Sequence, residues 1–151
     1  MYVQNLIGEY THKMDAKGRV SLPSVFRKDI AVDSQLVIAP SSTDNYLCIY
    51  LKEDYIKWID TMFEGIGGYS ENDPDHVLIR SQMMGEGCDA ELDSAGRITV
   101  GSEQRKLADL EKDVVLVGNG NRIEVWSADR RAEAKSAARL KKSMLLRKAA
   151  Q

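Results

Sequence analysis

The sequence predicts an α+β fold in which a β-rich unit occurs twice, flanked by helices. Three observations carry that expectation. Asp15-Ala-Lys-Gly-Arg-Val-Ser-Leu-Pro23 returns 78 residues later as Asp93-Ser-Ala-Gly-Arg-Ile-Thr-Val-Gly101. The strand-like runs Gln35–Ala39 and Tyr46–Tyr50 are matched in the same order by Asp113–Val117 and Arg122–Trp126. Between and after the copies the apolar period changes from 2 to 3.6, the mark of a passage from strand to helix.

The elements follow in order. The segment Tyr10–Met14 alternates weakly and reads as a strand, and Cys88–Leu92 stands in its place in the second copy. Asp15-Ala-Lys-Gly18 then reverses the chain. An aspartate at the head of a turn accepts hydrogen bonds from N–H groups two or three residues on, and Gly18 tolerates a positive φ. Asp93 and Gly96 serve the second copy in the same way. Arg19–Leu22 is expected to return as the second strand of a hairpin. Pro23 suits a helix start, so 23–30 reads as a short helix, with Ser102 as the expected cap of its counterpart. The two later strands of each copy form a hairpin closed by residues 40–45 or by Gly118–Asn121.

Residues 53–64 place Tyr55, Ile56, Ile59, Met62 and Phe63 at helical spacing. Gly65–Gly68 and Asp73–Asp75 mark a linker, and helical spacing resumes from His76 to about Met84. A last helix is expected from Ser127, a plausible cap, to about Arg147, with little apolar surface to bury. The expected division is a first module at 8–54, a helical connector at 55–85, a second module at 86–129 and a basic helix or tail at 130–151.

Composition narrows the function. The chain has 151 residues, 43% hydrophobic and 29% charged, with a net charge of −2. These are the values of a globular domain. No apolar run approaches the roughly 20 residues that span a bilayer. Met1–Gly8 lacks the basic and apolar regions of a secretory leader, so the expectation is a cytoplasmic protein without a membrane partner. Cys48 and Cys88 lie 40 residues apart, which gives neither a zinc motif nor a disulfide framework. Residues 127–151 carry eight Lys/Arg against Asp129 and Glu133, so the remaining chain is strongly acidic. Binding to a polyanion must therefore come from a local surface.

Catalysis has little to draw on. His12 and His76 are in no metal spacing, Cys48 reads as a core residue, and nucleophile-elbow, P-loop and dinucleotide patterns are absent. No cofactor or metal is expected, and the reading is not an enzyme. The informative feature is the arginine after each turn glycine. A turn does not require it, yet Arg19 and Arg97 both occupy that place, where a guanidinium can reach phosphates or a guanine edge. Lys13 and Lys17 add charge beside Arg19, and His12 joins them as a candidate DNA contact. Glu91 and Ala95 stand at the lysine positions of the second copy, so the first turn is expected to dominate.

The duplicated Asp-x-x-Gly-Arg, the run Glu111–Val117 and the run Gly118–Trp126 together resemble the MraZ family of bacterial transcriptional regulators. The resemblance covers about residues 7–130. It implies two AbrB-like swapped-hairpin modules packed with pseudo-twofold symmetry, assembly into a ring-shaped homo-oligomer, and a nucleoid-associated location. It also implies binding to double-stranded DNA with short direct repeats, in the promoter of the division and cell-wall gene cluster that includes the regulator's own gene. Carried over by residue, the DNA-reading positions are Lys17, Arg19 and Arg97. Gly101 departs from the usual proline of the second copy. An AbrB-like antitoxin, an enzyme on a related β-barrel and a ring-forming structural protein without DNA specificity stand as alternatives.

Overall fold

The computed structural model describes residues 5–30 and 33–151. Residues 1–4, part of the segment read for a leader, and residues 31 and 32 of the first module lie outside it. In chain order the first copy contains β1 (Leu6–Lys13), β2 (Arg19–Ser21), α1 (Ser24–Arg27), β3 (Leu36–Pro40) and β4 (Leu47–Leu51). The connector contains α2 (Lys52–Glu64) and α3 (Pro74–Glu86). The second copy contains β5 (Cys88–Ala90), β6 (Arg97–Thr99), α4 (Ser102–Leu107), β7 (Asp113–Gly120) and β8 (Arg122–Ser127), and α5 (Ala128–Ala149) closes the chain.

Six strands form one sheet in the order β1-β7-β8-β4-β3-β5, and β2 pairs with β6 in a separate two-stranded ribbon. Exchanging each strand for its counterpart in the other copy reverses the six-strand order and leaves it unchanged. The duplication is therefore expressed as a pseudo-twofold axis between β4 and β8.

The hairpin expected from Met14 to Leu22 is not a ladder. Its two arms share only the bridge between Met14 and Val20. β1 runs instead along all eight residues of β7, and β5 pairs with β3. Each first strand thus serves the other module, and each second strand meets its counterpart in the ribbon. The pairing is fixed by burial: Val20 and Ile98 face each other in the ribbon at 1% and 0% exposure. They close over Leu22, Phe26, Ile38, Ile49, Leu116 and Val125 in one continuous core. An isolated three-residue hairpin arm could bury only one side of that cluster, whereas the swapped pairing buries both.

Strand β4 shows the alternation clearly. Leu47, Ile49 and Leu51 face this core, while Cys48 and Tyr50 face a second cluster with Tyr55, Ile59 and Phe63 of α2. Helix α1 is a single turn, shorter than the expected 23–30, although hydrogen bonds continue to Ile30. Ser102 is the first residue of α4 and makes no cap bond; Gly101 holds the cap position. Ser127 does cap α5, its hydroxyl accepting from the Arg130 amide at 3.1 Å.

Helix α5 fully buries no residue along 22 positions, and its first turns meet the sheet through half-buried residues and ion pairs. Arg131 and Lys135 each reach Glu9 of β1 at 2.8 Å, and Arg131 lies over the Trp126 ring. His76 lies in the first turn of α3, whose start falls at Pro74 within the segment read as linker, and it is packed. Its Nδ1 accepts from the Ser70 amide at 3.1 Å and its ring lies against Phe63 and Tyr69.

Candidate nucleic-acid interface

The two Asp-x-x-Gly-Arg turns have almost the same geometry. Asp15 Oδ1 accepts from the amides of Lys17 and Arg19, both at 2.9 Å, and Asp93 Oδ1 accepts from Ala95 and Arg97 at the same distances. The amides bound are thus two and four residues on, rather than two and three. Gly18 and Gly96 have φ of +82° and +77°, the left-handed region where a Cβ is unfavourable.

The turn also uses its arginine, contrary to the sequence reading. Arg19 Nε donates to Asp15 Oδ2 at 2.7 Å, and Arg97 Nε donates to Asp93 Oδ2 at 2.9 Å. Each guanidinium is thereby aimed by its own turn, with about a third of each side chain exposed. An arginine held at Nε keeps its terminal nitrogens for a bidentate partner, with less rotamer freedom left to lose on binding.

The hydrogen bonds from the arginine amides are the first cause holding the Asp15 and Asp93 carboxyls below the ordinary aspartate value of 3.8. A carboxyl lowered by folding adds stability that is complete above its unfolded value and is lost as pH falls through the folded one. Acid denaturation followed by circular dichroism should therefore show the melting temperature falling as pH drops below 3.8. Asp15→Asn should make that fall shallower without abolishing it, because it removes one of the two turn carboxyls, while Glu9 and Asp113 are lowered as well and keep their share. An unchanged slope would show that the turn carboxylates do not couple to folding.

The clasp between modules places both turns on one surface. The Val100 amide donates to Gly18 O at 2.8 Å, and the Leu22 amide donates to Gly96 O at 3.0 Å. In the ribbon, Arg19 pairs with Thr99 and Ser21 with Arg97. Because Val20 and Ile98 point inward, Arg19, Ser21, Arg97 and Thr99 all point outward. The two arginines are diagonal neighbours across the pair, roughly 7–8 Å apart at Cα.

A further pair of arginines was missed as part of this site. Arg105, from the second module, packs beneath the Gly18 turn, with Nη1 3.4 Å from the Ala16 carbonyl oxygen. Arg27, from the first, packs beneath the Gly96 turn. Their equal offsets after the turns, in Arg27-Lys28 and Arg105-Lys106, were the available signal.

The remaining candidates separate. Lys17 is exposed and makes no ion pair among the described residues. Lys13 is engaged by Asp113 of β7, which takes up its charge. His12 Nδ1 lies 2.6 Å from the Ser21 carbonyl oxygen and ties β1 to the ribbon. The advantage of the first turn over the second is thus narrowed to Lys17 against Ala95.

Two modules in one chain, each lending a strand to the other, define a duplicated swapped-hairpin protein of the AbrB-like type. The chain belongs to the MraZ family. The family model described as "MraZ protein, putative antitoxin-like" matches residues 6–64 and 83–145. A "Transcriptional regulator MraZ" from Halothermothrix orenii is 33% identical over 124 residues, 82% of each chain. One from Alkaliphilus metalliredigens is 34% identical over 123 residues, covering 82% of this chain and 81% of its own. Another, from Hydrogenovibrio crunogenus, is 31% identical over 118 residues, covering 77% and 75%.

Proposed function

We propose that the protein regulates transcription by binding double-stranded DNA through the outward face of the β2/β6 ribbon. The observation that carries this reading is the placement of Arg19, Ser21, Arg97 and Thr99 together on the outward face of a two-stranded ribbon. The major groove admits such a ribbon, and arginine pairs bidentately with guanine or with phosphate there. Ser21 and Thr99 supply hydroxyls that accept or donate. The names of the relatives support the same class of function.

The rest of the surface favours selectivity over bulk affinity. Two surface openings among the described residues carry an excess of acid, one bordered by Asp33, Asp89 and Glu91 with Lys52, the other by Asp109, Glu111, Asp113, Asp129 and Glu133 with Lys112 and Arg130. A single ribbon offers few cations, which alone gives weak, salt-sensitive binding. Specific binding is then the work of a ring-shaped homo-oligomer whose ribbons engage short direct repeats, adding their effects through effective concentration. The target is the promoter of the division and cell-wall gene cluster, including the protein's own gene, and the protein acts at the nucleoid. No helix among the described residues is long and apolar enough to cross a membrane.

A gel-shift titration with DNA from upstream of the protein's own start codon tests this reading. Retardation that survives excess random-sequence competitor is expected. Equal competition by random DNA would remove the claim of sequence specificity, and the absence of any shift would remove the DNA reading itself.

A further inference from the structure

The face of the main sheet turned away from the ribbon carries a cleft that DNA reading does not use. Its floor is Cys48 and Tyr50 of β4, one wall is Tyr55 and Trp58 of α2, the β3–β4 loop contributes Tyr46, and Arg122 of β8 closes the remaining side. The cavity has a volume of about 130 Å³. An apolar cavity of about 150 Å³ holds a benzene ring, so a single six-membered ring is the size that fits.

The walls suit such a ring. Tyr50 and Trp58 are inclined at 29° with centroids 6.2 Å apart, Tyr55 and Trp58 at 23° over the same distance, and Tyr46 is stacked on Trp126 at 4.1 Å. Tyr46 and Trp58 keep part of their surface open. Aromatic faces of this kind bind flat rings by offset stacking.

Arg122 sets the charge. No carboxylate forms an ion pair with it among the described residues, and its hydrogen bond to Asn121 Oδ1 is long, at 3.4 Å. Glu124, two residues along the same strand face, is engaged by Trp126 Nε1 and Asn119 Nδ2, both at 2.9 Å. A guanidinium at the mouth of an aromatic cleft is a ready partner for a carboxylate, which it meets with two parallel hydrogen bonds. The floor complements the same ligand. Burial pushes the Cys48 thiol up to about 12 and raises Tyr50 as well, so both stay protonated and the floor is uncharged, with the Tyr50 and Arg122 side chains in hydrogen-bond reach of the thiol.

We propose that this cleft binds a small aromatic carboxylate, its ring stacked against Trp58 and Tyr46 and its carboxylate on Arg122. Calorimetric titration of the full chain with benzoate, benzamide and acetate tests it, with tryptophan fluorescence recorded in parallel. Benzoate should saturate one site per chain and quench fluorescence. Benzamide, which keeps the ring without the charge, and acetate, which keeps the charge without the ring, should each bind about tenfold more weakly or worse. Arg122→Gln should bring benzoate down to the level of benzamide and leave benzamide unchanged, while Arg122→Lys should restore part of the difference. Equal binding of benzoate and benzamide to the unaltered protein would overturn the proposal, as would the absence of saturable benzoate binding. The comparison of the three ligands on the unaltered protein decides the matter even if the Arg122 variants fail to fold.

Discussion

Gly18→Ala is expected to cost about 2–5 kcal/mol of folding stability, a large part of what a domain of this size possesses. The backbone at Gly18 has φ of +82°, which an L side chain adopts at a cost of roughly 1–2 kcal/mol. The added Cβ would also collide with the carbonyl oxygen of Val100 and stand 3.0 Å from Arg105 Nε. That carbonyl is backbone, and the amide of the same residue bonds to Gly18 O, so neither partner can yield without opening the clasp. Forced overpacking of this kind adds about 1–3 kcal/mol.

Gly96→Ala is expected to cost less, about 1–2 kcal/mol, although its φ is nearly the same. There the atoms nearest the new Cβ are not backbone but the Arg27 side chain, from its guanidinium to Cδ, and that side chain is exposed and can swing aside into solvent. Denaturant unfolding of the two variants checks the ranking. Equal losses, or a Gly18→Ala loss below about 0.5 kcal/mol, would contradict the clasped geometry.

The second large effect concerns repeat number. If several ribbons of a ring engage consecutive repeats, a two- or three-repeat duplex should bind about 10²–10⁴ times more tightly than a single repeat. Inserting about half a helical turn, roughly 5 bp, between repeats rotates the next one to the far side of the duplex and should remove most of that gain. A full-turn insertion restores the face and should cost less. Titrations at one stated salt concentration are needed, because phosphate contacts weaken steeply as salt rises. A lone repeat that binds as tightly as three would assign specificity to a single chain.

Much of the fold was legible because its signals are local. The turn aspartates and glycines, the 3.6 period of α2 and the Ser127 cap depend on neighbours within a few residues, and each was found where the sequence placed it. The partner of a strand is not local. The alternation of Val20 and Leu22 is the same whether Arg19–Ser21 pairs with β1 or with β6, and only the fit of the shared core decides. The swap therefore entered through the family resemblance and not through the pattern of residues.

The site was legible in part for the same reason. Arg19 and Arg97 were visible by position, but their tether to Asp15 and Asp93 depends on side-chain reach within the closed turn. The loss of Lys13 to Asp113 spans 100 positions of sequence and follows from the β1/β7 register. The support of each turn by Arg105 or Arg27 crosses between modules in the same way. Ser102 misled because Gly101, lacking a side chain to compete, takes the cap position one residue earlier.

The central claim is that the outward arginines of the ribbon read DNA, and fluorescence anisotropy on one repeat-bearing duplex measures it most directly. Wild type, Arg19→Ala, Arg97→Ala and the double variant should be titrated at a single salt concentration, with circular dichroism confirming that each is folded. Each single change should weaken binding by about 1–3 kcal/mol, Arg19→Ala the more because Lys17 stands beside Arg19 where Ala95 stands beside Arg97. The double variant should retain only weak binding without preference over a scrambled duplex. A folded double variant that binds the repeats with wild-type affinity and preference would contradict the account.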